Sequence, residues 1–349
     1  MKKIAVICLL VAAIAFMSFR ARKTSLHFNV PVGWPKPVYD FRKNPLDKDK
    51  IALGRMLFYD PVLSKDSTIS CNSCHAQFSA FTHVDHSLSH GINGRIGNRN
   101  SPVLVNLAWG NSFMWDGAVN HLDVQALAPM SNPLEMDEDI AHVVYKLQVG
   151  NRYPQLFYIA FADSTITGEH ILKALSQFML TLVSADSKYD KVKRGEASFT
   201  DAEAKGYTLF QKNCSSCHTE PLFTNGEYEN NGLMVDETLN DIGRMKITHH
   251  PVDSLKFKVP TLRNIQYSAP YMHDGRFKTL SQVLNNYIMG IQQSPTLNPI
   301  LKKGIYITTE QKAELIAFLY TLSDTAFIHD PAFSYPKDKL LLSEGKYNP

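Results

Sequence analysis

Two pentapeptides constrain this chain more than anything else in it: Cys71-Asn72-Ser73-Cys74-His75 and Cys214-Ser215-Ser216-Cys217-His218. Two cysteines three residues apart, followed at once by a histidine, form the attachment site of a c-type haem. The chemistry dictates the order. On a short helix, positions i and i+3 share a face, so both sulfurs reach the vinyl groups of one porphyrin. The histidine that follows points its imidazole at the iron as the fixed axial ligand. Four cysteines also suit a zinc site or disulfides, but neither explains a histidine after both pairs. The chain is read as carrying two covalently bound c-type haems, on His75 and His218.

The remaining cysteine is Cys8, so none is left for a structural disulfide. It lies in an apolar run from Ile4 to about Phe19, preceded by Met1-Lys2-Lys3. A basic start and a short apolar core read as an export signal. The run is shorter than the ~20 residues of a membrane span. Arg20, Arg22 and Lys23 follow directly, with no clean small-x-small cleavage site, so residues 1–23 are expected to be a signal peptide or an N-terminal anchor. In either case the folded part belongs outside the cytoplasm, in the periplasm. A net charge of +3, from 36 basic and 33 acidic residues, gives no basis for a nucleic-acid partner.

The 349 residues suffice for two domains. Apolar spacing predicts a helix over Leu46–Phe58, stopped by Pro61, and further helices at about 137–149, 169–184 and 309–322. Residues 24–45 are expected to run extended over the surface, and Phe78–Asn100 to form a long loop. Thr200 and Glu203 make a capping box that opens a helix leading to Cys214. The charged stretch 188–198 reads as a linker. Strand signals are few, so the fold class is mostly α. The expected division is 24–187 for a first cytochrome c-like domain and 188–349 for a second.

An internal repeat supports two copies of one unit. Gly54-Arg55-Met56-Leu57-Phe58 precedes the first haem motif, and Gly206-Tyr207-Thr208-Leu209-Phe210 the second. Met114-Trp115-Asp116-Gly117 follows the first, with Leu122 eight residues past the Met; Met272-His273-Asp274-Gly275 follows the second, with Leu280 at the same distance. The repeat directs attention to the sixth iron position, which separates an electron-transfer haem from a reactive one. Tyr287 lies fifteen residues past Met272 on a predicted helix, with Met289 two further on. Two residues turn ~200° around a helix, so both cannot face one iron. The same count from Met114 reaches Pro129, which cannot ligate. The first haem is thus expected to have an open or differently occupied face, and the second a closed one.

The segments RNSPVLVN, FMWDG, VQALAPMSNPLEM, FKVPTLRN and APYMHDG resemble the bacterial di-haem cytochrome c peroxidase family, including its methylamine-utilisation (MauG-type) branch. The resemblance runs from about residue 46 to 322. It implies that hydrogen peroxide meets the N-terminal haem, that the C-terminal haem passes electrons, and that a small cytochrome c or cupredoxin donates them. It places Gln125 and Glu135 in the peroxide pocket and Trp115 between the haems. It assigns Asn100, Ser268 and Pro270 to a calcium ion between the domains, the last two through backbone carbonyls. Tyr287 stands where conventional members have methionine and MauG-type members tyrosine; Met289 would restore the conventional ligand by a small register shift. Conventional members also bring a histidine from the Phe78–Asn100 loop to the peroxidatic iron at rest. His83, His86 and His90 are the candidates, and His90-Gly91 fits best. His273 belongs to the family's common form at that place. The alternatives carried forward are MauG-type oxidation of a partner protein and a di-haem electron carrier without peroxidase activity. A homodimer is left open.

Overall fold

The computed structural model describes residues 26–337, so the expected leader lies outside the described residues. Helix α1 (Lys48–Tyr59) begins where the Asp47 carboxylate accepts the Asp49 and Lys50 amides, and ends before Asp60-Pro61. The haem-motif turn α2 (Cys71–Cys74) and the short α3 (Leu122–Gln125) and α4 (Leu127–Ser131) follow. Then come α5 (Ile140–Val149), α6 (Tyr153–Phe161) and α7 (Gly168–Thr181). The second half holds α8 (Lys188–Lys193), α9 (Asp201–Asn213), α10 (Met245–Thr248) and α11 (Leu280–Asn285). A π turn over Asn286–Gly290 continues α11, and α12 (Thr309–Tyr320) and α13 (Thr325–His329) close the chain. Among the described residues the named strands are β1 (Tyr228–Glu229) and β2 (Phe257–Lys258), antiparallel with Tyr228 opposite Lys258. The fold is mostly helical, as the sequence indicated.

Two crossed helix pairs carry the two halves. Gly54 of α1 lies against α7, where a Cβ would overlap the Ala174 carbonyl and come within 3.1 Å of the Phe178 Cβ. Gly206 of α9 lies against α12, where a Cβ would overlap the Glu314 carbonyl and come within 2.9 Å of the Phe318 Cβ. Glycine at each crossing lets the backbones touch, and the phenylalanine one turn on fills the space beside it. Around the first pair, Leu57, Phe58, Phe81, Phe157 and Phe178 are fully enclosed; around the second, Phe210, Phe223, Phe318 and Leu322. Each such side chain contributes about 1.5–3 kcal/mol by leaving water.

Three features depart from the sequence reading. Residues 188–193 form a capped helix rather than a linker: Ser187 and Asp190 make a capping box, Tyr189 is buried, and Asp190 takes both terminal nitrogens of the fully buried Arg263. Residues 26–45 are irregular, but Phe28, Trp34 and Phe41 pack on the first core and Tyr39 is buried in it. The segment from α13 onward returns to the first core. Phe327, Ile328 and Phe333 join that cluster, the Arg55 guanidinium donates to the Ser334 carbonyl at 2.7 Å, and the Tyr59 hydroxyl donates to the Phe333 carbonyl at 2.7 Å.

Candidate active site

Both haem motifs open into one continuous cavity of about 890 Å³. Cys71, Cys74, His75, Cys214, Cys217 and His218 all line it. The His75 Nδ1 lies 2.8 Å from the Phe81 carbonyl, and the His218 Nδ1 lies 3.1 Å from the carbonyls of Phe223 and Pro260. A carbonyl only accepts, so each Nδ1 carries the proton and Nε2 keeps the lone pair that ligates a metal. Burial drives both imidazoles toward the neutral form, His75 down to about 4. The four cysteines are unpaired with one another. Burial pushes the Cys71 and Cys214 thiols up to about 12, which disfavours thiolate ligation and suits sulfurs carried as uncharged thioethers. Among the described residues no group of three or more His, Cys, Asp or Glu side chains gathers to hold a metal ion. The site residues therefore fit two covalent haems and not a zinc cluster.

The repeat is visible in atomic detail. Met114 and Met272 both take a left-handed backbone, with φ of 70° and 75°. The Phe113 amide then bonds the Val119 carbonyl, and the Tyr271 amide the Phe277 carbonyl, each at 2.7 Å. Asn106 and Asn264 are both left-handed, with amides on the Leu182 and Leu322 carbonyls.

The walls above the two motifs differ. On the first side, Gln125, Pro129 and Glu135 line the cavity. Glu135 hangs on the loop after α4; its carboxylate accepts the Asn132 amide at 3.0 Å. Burial raises its pKa above the ordinary carboxylate value, and the Asn132 bond opposes the rise. The Gln125 Nε2 lies 3.8 Å from the Met114 sulfur. On the second side, Tyr287 of the π turn lines the cavity, and burial raises its phenol pKa. Its hydroxyl and the Met272 sulfur flank the Asn231 Nδ2 at 3.5 and 3.6 Å. Met289 is 80 % exposed and is not among the lining residues.

The loop histidines divide. His83 is buried with both ring nitrogens engaged, by the Ser101 hydroxyl and the His86 carbonyl. His90 is exposed at the cavity rim, its ring centroid 3.6 Å from that of His86, and its carbonyl accepts the Cys74 thiol. His273 stacks on Phe257 at 3.7 Å.

Trp115 lies where the halves meet. Its indole donates to the Asn100 carbonyl at 2.8 Å, and its own carbonyl accepts the Lys258 amide of β2 at 2.7 Å. Asn100 is buried, bonds the His273 carbonyl through its backbone amide, and gives its side-chain NH2 to the Ser87 carbonyl. Ser268 and Pro270 line the same cavity. Arg99 ties the halves with ion pairs of 2.6 Å to Asp116 and to Asp241. Asn132, Asn231 and Lys258 went unnoticed in the sequence. Asn132 alone carried a signal there, three residues before Glu135.

Residues 48–198 match the family model for di-haem cytochrome c peroxidase, and residues 203–323 the model for cytochrome c. The chain is 35 % identical over 307 residues to the methylamine utilization protein MauG of Methylorubrum extorquens, covering 84 % of this chain and 83 % of that one. It belongs to the di-haem cytochrome c peroxidase family. It is also 35 % identical to the cytochrome c551 peroxidase of Nitrosomonas europaea, over 80 % of this chain and 81 % of the other. Identity to the cytochrome c peroxidase Ccp of Escherichia coli is 35 % too, over 85 % of this chain but only 62 % of that longer protein. Among solved structures, a MauG-like protein associated with microbial copper homeostasis superposes with a TM-score of 0.81 at 33 % identity, covering 89 % of this chain and 99 % of that one. Two c-type haems and peroxidase-type oxidoreductase chemistry go with membership of this family.

Proposed function

We propose that this protein reduces hydrogen peroxide to water at the His75 haem, using electrons that enter through the His218 haem. The observation that carries the reading is the contrast between the two cavity walls: Gln125, Pro129 and Glu135 on one side, a half-buried tyrosine on the other. The iron of each haem supplies, when bound, a coordination site and an electron. The chain supplies the proton handling. Splitting the O–O bond requires a group that accepts a proton from one oxygen and returns it to the other. Glu135 is placed for this, half-buried, with its pKa raised by desolvation and its carboxylate oriented by Asn132. The Gln125 amide positions peroxide by hydrogen bonding. Trp115 is the aromatic step between the halves. His90, exposed at the rim with its ring tilted against that of His86, leaves the first face open. Tyr287, in the cavity wall, is the residue that would offer an oxygen donor to the iron of the second haem; Met289, 80 % exposed, would not.

Residues 24–187 form the peroxidatic domain and 188–349 the electron-transfer domain, exported to the periplasm by residues 1–23. The donor is a small cytochrome c or cupredoxin. Asn100, Ser268 and Pro270 hold one calcium ion. With its amide nitrogen on Ser87, Asn100 has a side-chain oxygen to offer, and calcium takes oxygen ligands. Chelation is expected to lower the melting temperature, with calcium restoring it.

A second reading is favoured by Tyr287. Tyrosinate is an anionic donor that lowers the potential of a ferric haem. An electron-accepting role for that haem is then replaced by MauG-type oxidation of a partner protein. The test is steady-state peroxide consumption by the di-haem protein with a reduced small cytochrome c. Turnover of the cytochrome establishes the first reading. Reaction with peroxide without cytochrome oxidation favours the second. No reaction with peroxide rejects both and leaves an electron carrier.

A further inference from the structure

Among the described residues, two inner arginines have carboxylate partners. Arg263 has the Asp190 carboxylate, and Arg99 has Asp116 and Asp241. Arg244 lies 3.9 Å over the Tyr228 ring and donates to the Asp116 carbonyl. Lys258 lines the cavity between the two haem motifs, and no carboxylate lies within ion-pair distance of it among the described residues. Its ammonium donates to the Ser112 carbonyl and sits 5.6 Å over the Phe113 ring, both in the loop that leads to Trp115.

The local geometry explains the isolation. Tyr228 is the cross-strand partner of Lys258, so the two side chains share one face of the ribbon. Both reach Ser112, the tyrosine through its hydroxyl and the lysine through its ammonium. Glu229, the acid beside Tyr228 on β1, projects from the opposite face, where its carboxylate takes the Asn298 amide at 2.8 Å. Lys258 thus stands on the opposite face from the one acid on its ribbon, although both residues line the cavity, and the two form no ion pair. A cation drawn out of water without a counter-charge is costly, unless an anion that is not part of the polypeptide completes it. The anions brought into this cavity by covalent attachment are the haem propionates.

We propose that Lys258 is the anchor of a haem propionate, holding that carboxylate beside the Trp115 loop at the junction of the two halves. The placement suits either haem. Lys258 is two residues from Pro260, whose carbonyl fixes His218, while its ammonium touches the loop of the first half. Burial alone, with no opposing charge, pulls its pKa down to about 8 in the protein without the haem, as an unmatched cation requires. The proposal rests on haem attachment and not on peroxide chemistry, so an absence of peroxide turnover in the native protein would leave it standing.

The test is spectroelectrochemical titration of both haems in the di-haem protein carrying Lys258→Met. A cation beside a propionate favours the reduced, more negative haem. Its removal is expected to lower the midpoint potential of one haem by about tenfold in the reduction equilibrium, 59 mV for one electron. The haem that moves identifies the propionate: that of His218 or that of His75. Lys258→Arg, which keeps the charge, is expected to stay near the native value. It also serves as the folded comparison if the methionine variant fails to assemble, because its propionate bands in the resonance Raman spectrum must then shift on that same haem. Unchanged potentials in Lys258→Met, an equal shift of both haems, or unaltered propionate bands in Lys258→Arg would each overturn the assignment and leave Lys258 as a brace for Ser112.

Discussion

The two halves share a frame and differ in one wall. Both cross two helices at a glycine, both fix a motif histidine through Nδ1 on a phenylalanine carbonyl, and both turn the chain at a left-handed methionine. After that turn they diverge. The first half breaks into α3 and α4, puts Pro129 at the position fifteen past the methionine, and lets the following loop bring in Glu135. The second keeps one helix, α11, runs it into a π turn, and puts Tyr287 there. A π turn re-aims a side chain without ending the helix, and such turns are frequent at functional sites. The shared frame sets the two motif histidines alike, and the walls above them differ. A duplicated unit can acquire two chemistries by changing a single helix.

The largest effect expected on this contrast is at Glu135. Glu135→Gln keeps shape and removes the base. Loss of a positioned acid–base group costs about 10²–10⁴-fold, and kcat/KM for peroxide is expected to fall by that amount. The pH profile adds a second check. The native acid limb is expected above the ordinary carboxylate range, since the group must be ionised to accept a proton and burial raises its pKa. Because the folded pKa lies above the unfolded one, the stability from this proton is present at low pH and lost as pH rises through the folded value. Glu135→Gln is expected to abolish that slope in the melting temperature. An unchanged kcat/KM would remove Glu135 from the site.

Next come the two glycines. A methyl at either crossing must displace a backbone carbonyl, and overpacking of this kind costs about 1–3 kcal/mol. Gly54→Ala and Gly206→Ala are expected to lower stability by similar amounts in thermal melts. A large penalty at one and none at the other would show that the two frames are not equivalent, and the comparison above would lose its common reference.

A smaller effect tests how the first wall is tuned. The Asn132 amide favours the ionised Glu135, so Asn132→Ala is expected to raise that pKa further. Hydrogen bonds to a charged group are worth about 1.5–3 kcal/mol, so the acid limb of the rate profile should move up by about one to two pH units. A limb that stays in place would mean that Asn132 only braces the turn.

How far the sequence foretold this can be seen residue by residue. The haem motifs, the capping box at Thr200 and the left-half/right-half repeat are local patterns, and each appears as read. The stretch 188–198 misled because its charged composition masks long-range partners: Asp190 is neutralised by Arg263, seventy-three residues away. The return of Phe327 and Phe333 to the first core was equally hidden, because nothing around them specifies which core receives them. Lys258 was invisible for the opposite reason. Its interest lies in the charges that fail to meet it, which only the folded arrangement of β1 and β2 reveals.

The smallest expected effect sharpens the second wall. Tyr287 and Met289 are two residues apart on the same turn, and the alternatives in the sequence came down to which of them the iron sees. The structure sets the half-buried tyrosine in the cavity wall and leaves the methionine 80 % exposed. Met289→Leu removes only a sulfur in solvent, so stability should stay within about 0.5 kcal/mol and the resting ferric spectrum should not change. Tyr287→Phe removes the oxygen donor while keeping the ring, and the low-spin signal of the second haem is expected to be altered or lost. Both halves of this result are required. A spectrum that moved with Met289→Leu and stood still with Tyr287→Phe would mean that the turn rotates when haem is attached. The two walls would then differ by a thioether rather than by a phenolate, and the case for oxidation of a partner protein would go with it.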